Sequence, residues 1–148
     1  MTSPNFSATL LVDQSPEEVF RAVTDMRAWW SENIVGPTEK LGEEFTYSYQ
    51  DVHRSTMKLV ELVPNARVVW LVTANHFNFI EDETEWVGTK VIFDISRKRN
   101  QTEIRFTHQG LVPEYECFGV CSSAWGSYIH GSLKNLLTTG KGNPNPKE

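Results

Sequence analysis

His108 closes the run Thr102, Ile104, Phe106, His108, and this two-residue spacing puts an imidazole on the apolar side of a strand. Such an imidazole can orient a polar ligand group or exchange a proton near neutral pH. Tyr47 and Tyr49 alternate inward in the same way and carry hydroxyls to an apolar face. His108 with either tyrosine would suit acid–base work of the cyclase or hydrolase kind. Each residue also has a structural reading. His108 can be a core histidine bonded to a backbone carbonyl of the 110–113 turn, and the tyrosines can complete hydrogen bonds inside a packed core. For His108 the structural reading stands first. His76 shares a face with Val68, Trp70 and Val72 if their strand runs unbroken past Ala74, and would then line a cavity mouth. A turn at Asn75 would put it in solvent instead.

Cys117 and Cys121 are the two cysteines of the chain. They are too few for a disulfide framework and are expected to be reduced. Structural zinc needs four N or S ligands, so a single CxxxC predicts no metal. A nucleophilic thiol would need a base beside it, and His108 is the one candidate. Glu81, Asp82, Glu83 and Glu85 lack the spacing and turn glycine of a calcium loop, and read as a solvated loop bordering a cavity entrance. Arg97, Lys98 and Arg99 make a basic hairpin tip that serves solubility. There is no Gly-rich phosphate loop, no GxSxG and no HExxH. No catalytic residue is assigned beyond His108 as a candidate, and no cofactor is expected.

The elements that position these residues are legible in the periodicity. Residues 6 to 13 read as a strand. SPEEVFRAVTD follows as a helix, with Ser15 as N-cap, Pro16 at the first helical position and Glu18 completing a capping box. A second short helix or turn holds Met26 to Trp30. The period then switches to two across EFTYSYQD, STMKLVELV, RVVWLVTANHF, GTKVIFDIS and TEIRFTHQ. Thr89, Val91, Phe93 and Ile95 share one face of the fourth of these. Alternation with short connections means an antiparallel sheet covered on one side. Residues 113 to 139 then read as a long helix of about seven turns at roughly 3.6 residues per turn. Phe118, Cys121, Trp125, Tyr128, Ile129, Leu133, Leu136 and Leu137 fall on its inner side. The tail from about 140 to 148, GKGNPNPKE, is expected to be disordered. All 148 residues read as a single domain.

With 39% hydrophobic and 22% charged residues and a net charge of −5, the composition is that of a globular domain and speaks against nucleic-acid binding. No apolar run approaches the ~20 residues of a membrane span, and the N-terminus lacks the pattern of a signal peptide, so a cytoplasmic protein is expected.

The strings SPEEVFRAVTDMRAWW, VELVPNARVVWLV, GTKVIFDI, TEIRFTHQGL and WGSYIHGSLKNLLTTGK, in this order, resemble the START-like (SRPBCC) superfamily. Within it the chain resembles the branch related to the activator of the heat-shock protein 90 ATPase. The resemblance spans about residues 7 to 142 and implies a helix-grip fold of α+β class: a curved antiparallel sheet around a long C-terminal helix, with two short helices after the first strand. It also implies a hydrophobic cavity beneath that helix. The expected lining is Tyr47, Tyr49, Trp70, His76, Phe93, His108, Cys121, Trp125 and Tyr128. The function expected is binding of a small hydrophobic molecule, lipid-like or aromatic, without covalent chemistry. Two alternatives are a cyclase- or hydrolase-like enzyme using His108, and an interaction module with a chaperone as partner. A monomer or a homodimer is expected.

Overall fold

The computed structural model describes residues 5–147. Strand β1 (Phe6–Val12) leads into α1 (Pro16–Thr24) and α2 (Met26–Trp29). Strands β2 (Ile34–Val35), β3 (Glu44–Tyr49), β4 (His53–Val63), β5 (Arg67–Phe77), β6 (Lys90–Lys98) and β7 (Gln101–Gln109) follow. A C-terminal rod then runs as α3 (Phe118–Ser127), a π-helical segment (Tyr128–Leu133) and α4 (Lys134–Thr139). The strands form one antiparallel sheet in the order β1-β7-β6-β5-β4-β3-β2. This is the helix-grip arrangement. The two-residue β2 at the sheet edge was not expected, because it is too short to show a period.

Helix α1 starts as its sequence dictates. The Ser15 hydroxyl accepts from the Glu18 amide at 3.2 Å, and the Glu18 carboxylate accepts from the Ser15 amide at 3.4 Å. Val19 and Val23 are buried, which fixes the helix against the sheet. The alternation in β6 and β7 is also as read: Thr89, Val91, Phe93, Ile95, Thr102, Ile104, Phe106 and His108 are all buried.

β5 departs from the expected alternation. Its pairing with β4 slips between Thr56 and Met57, where Thr73 is the extra residue. A β-bulge of this kind inverts the facing of everything beyond it. Asn75 and Phe77 therefore turn inward, while His76 points out and meets the Glu83 carboxylate at 3.8 Å. The strand does run unbroken past Ala74, yet His76 does not line the space under the last helix and borders a separate depression with Arg54 and Asp51.

The last helix begins at Phe118 rather than 113. Residues 113 to 117 form turns, and the start of α3 is capped from elsewhere: the Glu85 carboxylate accepts from the Glu116 amide at 2.8 Å and the Cys117 amide at 3.1 Å. Glu116 answers by accepting from the Asp82 amide at 3.0 Å. Two carboxylates thus clasp the acidic loop to the helix start. Losing this cap in Glu85→Ala is expected to cost about 1–2 kcal/mol in a urea titration. A cost near zero would mean the clasp is ornamental.

The tail from about 140 to 148 was expected to be disordered from its Gly, Pro and Asn content; residue 148 lies outside the described residues. Residues 141–147 instead lie as a strap against α2 and the π segment. The Asn145 amide donates to the Trp30 carbonyl at 3.0 Å, the Glu32 amide to the Asn145 carbonyl at 2.8 Å, and the Asn143 amide to the Ser132 hydroxyl at 2.7 Å. Gly142 is the point of closest approach, since a Cβ there would collide with the Ala28 carbonyl. Gly142→Ala is accordingly expected to lift the strap and expose it to limited proteolysis. An unchanged cleavage pattern would count against tight docking.

Candidate ligand-binding site

Above the bulge the sheet and α3 do not close on each other, and a cavity of about 230 Å³ lies between them. Trp30 from the end of α2, Tyr47 from β3, Trp86 from the acidic loop and Trp125 from α3 wall it with aromatic surface. Tyr49, Phe79 and Val120 are exposed at its rim. The rings form a continuous chain of contacts: Trp30 stacks on Tyr47 at 4.2 Å, meets Trp125 at 5.3 Å with the planes tilted by 39°, and Trp125 stacks 5.9 Å from Trp86 at 12°.

The inward turn made by the bulge supplies the cavity's sheet side. His53 opens β4 on the same face as Ser55, Met57 and Leu59, and its ring packs 4.3 Å from Phe77 and 4.7 Å from Trp86. Its Nε2 lies 2.7 Å from the Ser55 hydroxyl and 2.9 Å from Asn75 Oδ1. Ser55 donates to that same Asn75 oxygen, so Nε2 carries the proton. Burial pushes this imidazole down to about 4, against a smaller opposing effect of the Asn75 hydrogen bond. The arrangement is no hydrolytic triad, because the serine proton is aimed at the amide and not at the imidazole.

His108 is fully buried and does not line the cavity. The Trp125 indole donates to Nδ1 at 3.1 Å, while Thr89, whose hydroxyl donates to the Trp86 carbonyl, accepts from Nε2 at 2.8 Å. Both nitrogens are taken and the tautomer is set. The partners are side chains of β7's neighbours, not the backbone turn expected for it. Gly110, at φ 106°, makes room for them, since a Cβ there would lie 2.6 Å from Thr89 Cγ2. Burial, with a smaller contribution from His53, lowers the imidazole to about 3. An acid–base role for His108 has no open face to act through.

At the far end of the cavity, Tyr47 and Tyr128 bring their hydroxyls 3.4 Å apart, and Asn145 of the strap donates to the Tyr128 oxygen at 2.7 Å and the Tyr47 oxygen at 3.3 Å. Burial, then the neighbouring Tyr128, raises the Tyr47 phenol far above its ordinary value, so it stays protonated. Cys121 lines the cavity, and behind it the buried Cys117 accepts a hydrogen bond from the Trp86 indole at 3.3 Å. The Cys121 hydrogen bond and burial both raise the Cys117 thiol, which suits packing and not nucleophilic attack. Among the described residues no group of three or more metal-ligating side chains converges.

Of the residues expected to line a cavity, Tyr47, Tyr49, Cys121, Trp125 and Tyr128 do so. Trp70 and Phe93 do not: they pack as core 5.3 Å from each other, Trp70 against Trp30 and Phe93 against Trp29. Trp30, His53, Phe77 and Trp86 line it and were missed, as was Asn145, which stands behind the lining and bonds the Tyr47 and Tyr128 hydroxyls. Counting back in twos from Met57 through Ser55 would have reached His53.

The family described as "Activator of Hsp90 ATPase homolog 1-like protein" matches residues 13–138. The chain belongs to this family. Among solved structures, the Aha1 dimer from Colwellia psychrerythraea is similar at 27% identity, with a TM-score of 0.75 over 94% of this chain and 99% of that one. DynU16, from the dynemicin biosynthetic locus, has the same fold at 17% identity and TM-score 0.67, over 94% of this chain and 49% of its own. CalU16 from Micromonospora echinospora does so at 15% and 0.63, over 90% of this chain and 74% of its own. No curated protein matches this chain. No helix among the described residues is long and apolar enough to cross a membrane. The family match ends before the strap that carries Asn145.

Proposed function

We propose that this member of the family binds a small, neutral, largely aromatic molecule in the cavity under α3, without covalent chemistry. One observation carries the reading: four aromatic rings in mutual contact wall an open-rimmed space to which His53 and the tyrosine hydroxyls bring few polar groups. Apolar space walled by aromatics with few fixed polar groups is the usual make-up of a small-molecule site. Size narrows the ligand. A cavity of about 150 Å³ accommodates benzene, so 230 Å³ admits a molecule of about ten non-hydrogen atoms. A sterol or a long acyl chain would not fit inside it.

Titrating the isotope-labelled protein with indole, a sterol and palmitate tests this, with the Trp30, Trp86 and Trp125 indole N–H resonances as readout. Indole is expected to shift all three, and the larger molecules to leave them in place. Indole leaving them unmoved would sink the reading. The enzyme alternative finds no support in His108, which is closed on both nitrogens. Pairing with a second copy is supported by the dimer of the similar Colwellia protein, and light scattering at several concentrations tests it.

A further inference from the structure

The polar end of the cavity is built from three elements: Tyr47 on β3, Tyr128 at the start of the π segment, and Asn145 on the strap. Four hydrogens meet there, two on the amide nitrogen and one on each phenol. The two amide hydrogens go to the two phenol oxygens. The phenols then share one long contact of 3.4 Å between them, which takes one phenolic hydrogen. The other O–H has no acceptor among the described residues. This end of the cavity therefore has a spare donor.

Charge limits what the spare donor can meet. No lysine or arginine lines the cavity, and the one imidazole on its wall is neutral at ordinary pH. A buried carboxylate or phosphate would lose its hydration here without gaining a cation, which is costly. A carbonyl oxygen would lose little and accept the free hydrogen.

We propose that the C-terminal strap is part of the binding site, and that Asn145, with Tyr47 and Tyr128, selects a neutral aromatic molecule bearing a carbonyl-type acceptor. Tyr47 and Tyr128 lie within residues 13–138, the stretch matched by the family, and Asn145 lies beyond it. The selection rests on the cavity being a binding site.

Three probes with the same number of non-hydrogen atoms separate the possibilities: acetophenone, its alkene analogue α-methylstyrene, and benzoate. Each is titrated into the full chain, the tryptophan indole resonances are followed, and dissociation constants are compared. One neutral hydrogen bond contributes about 1 kcal/mol, so the ketone is expected to bind about fivefold tighter than the alkene, and benzoate weakest of the three. In Asn145→Ala the ketone-to-alkene ratio is expected to fall below about twofold. Gly142→Ala, which moves the strap while keeping the amide, is expected to lower the ratio as well. Equal binding of ketone and alkene by the unmodified chain overturns the selection while leaving the cavity reading in place. A full ratio in Asn145→Ala, or benzoate binding tightest, overturns it too. If none of the three moves the indole signals, the cavity reading fails first and the selection with it.

Discussion

Acidification from pH 7 to pH 5 is expected to cost this protein about 4 kcal/mol of folding stability, through His53 and His108 together. In the fold their imidazoles are held neutral down to about 4 and about 3. In the unfolded chain each titrates near its ordinary value of 6.5. Between those values the unfolded state binds two protons that the folded state refuses. Stability is therefore complete above pH 6.5 and falls as the pH drops below it. The steepest slope is about 2.7 kcal/mol per pH unit, twice that of one group. Against a typical total of about 5–15 kcal/mol this is a large share. Urea titrations at pH 7, 6 and 5 measure it, and a flat stability over that range would show that the imidazoles are reached by water. The physical ground is specific: Trp125 donates to His108 Nδ1, so a proton arriving there must first displace an indole N–H.

Trp30→Ala should give the second large effect, a loss of about 3–5 kcal/mol. Trp30 is 1% exposed, stacks on Tyr47 and Trp70 and packs at a tilt against Trp125, so it joins the cavity to the core. At this chain length the loss corresponds to a fall in Tm of about 10 °C. Val120→Ala, at a rim position 61% exposed, is expected to cost less than about 0.5 kcal/mol. Because the void left by Trp30 would adjoin the cavity, a three-ring aromatic that the unmodified protein excludes is expected to restore part of the lost stability. A drop in Tm of only a degree or two would mean that Trp30 is dispensable to the stack.

The fold was largely legible in the sequence because period-two alternation survives intact in β6 and β7, and because Ser15, Pro16 and Glu18 mark a helix start without ambiguity. The site was legible only where the chain stays regular. Tyr47 and Trp125 were found by spacing alone. His76 was misplaced because a bulge adds a residue without altering hydrophobicity, so no count of apolar positions reveals it. Trp86 was hidden by its setting: four carboxylates around it suggest solvent, yet Glu85 is engaged by backbone amides and the indole is driven inward. Asn145 was missed because a Gly-, Pro- and Asn-rich tail has the composition of a free end. What holds it are distant partners, Trp30, Glu32 and Tyr128, which no local pattern announces.

The bulge at Thr73 and the π segment at Tyr128–Leu133 insert extra backbone into the two layers of the molecule, one into each. On one side, Val68, Trp70, Val72 and Leu137, with Ile129 and Leu133 of the π segment itself, make a solid interior; on the other, Phe77, Cys121 and Trp125 border empty space. The two irregularities thus form a seam. Across it the facing of each element is reset, so residues on the hollow side can be exchanged without passing a change of register into the solid side. The protein is in effect two compartments, one close-packed and the other bordering open space.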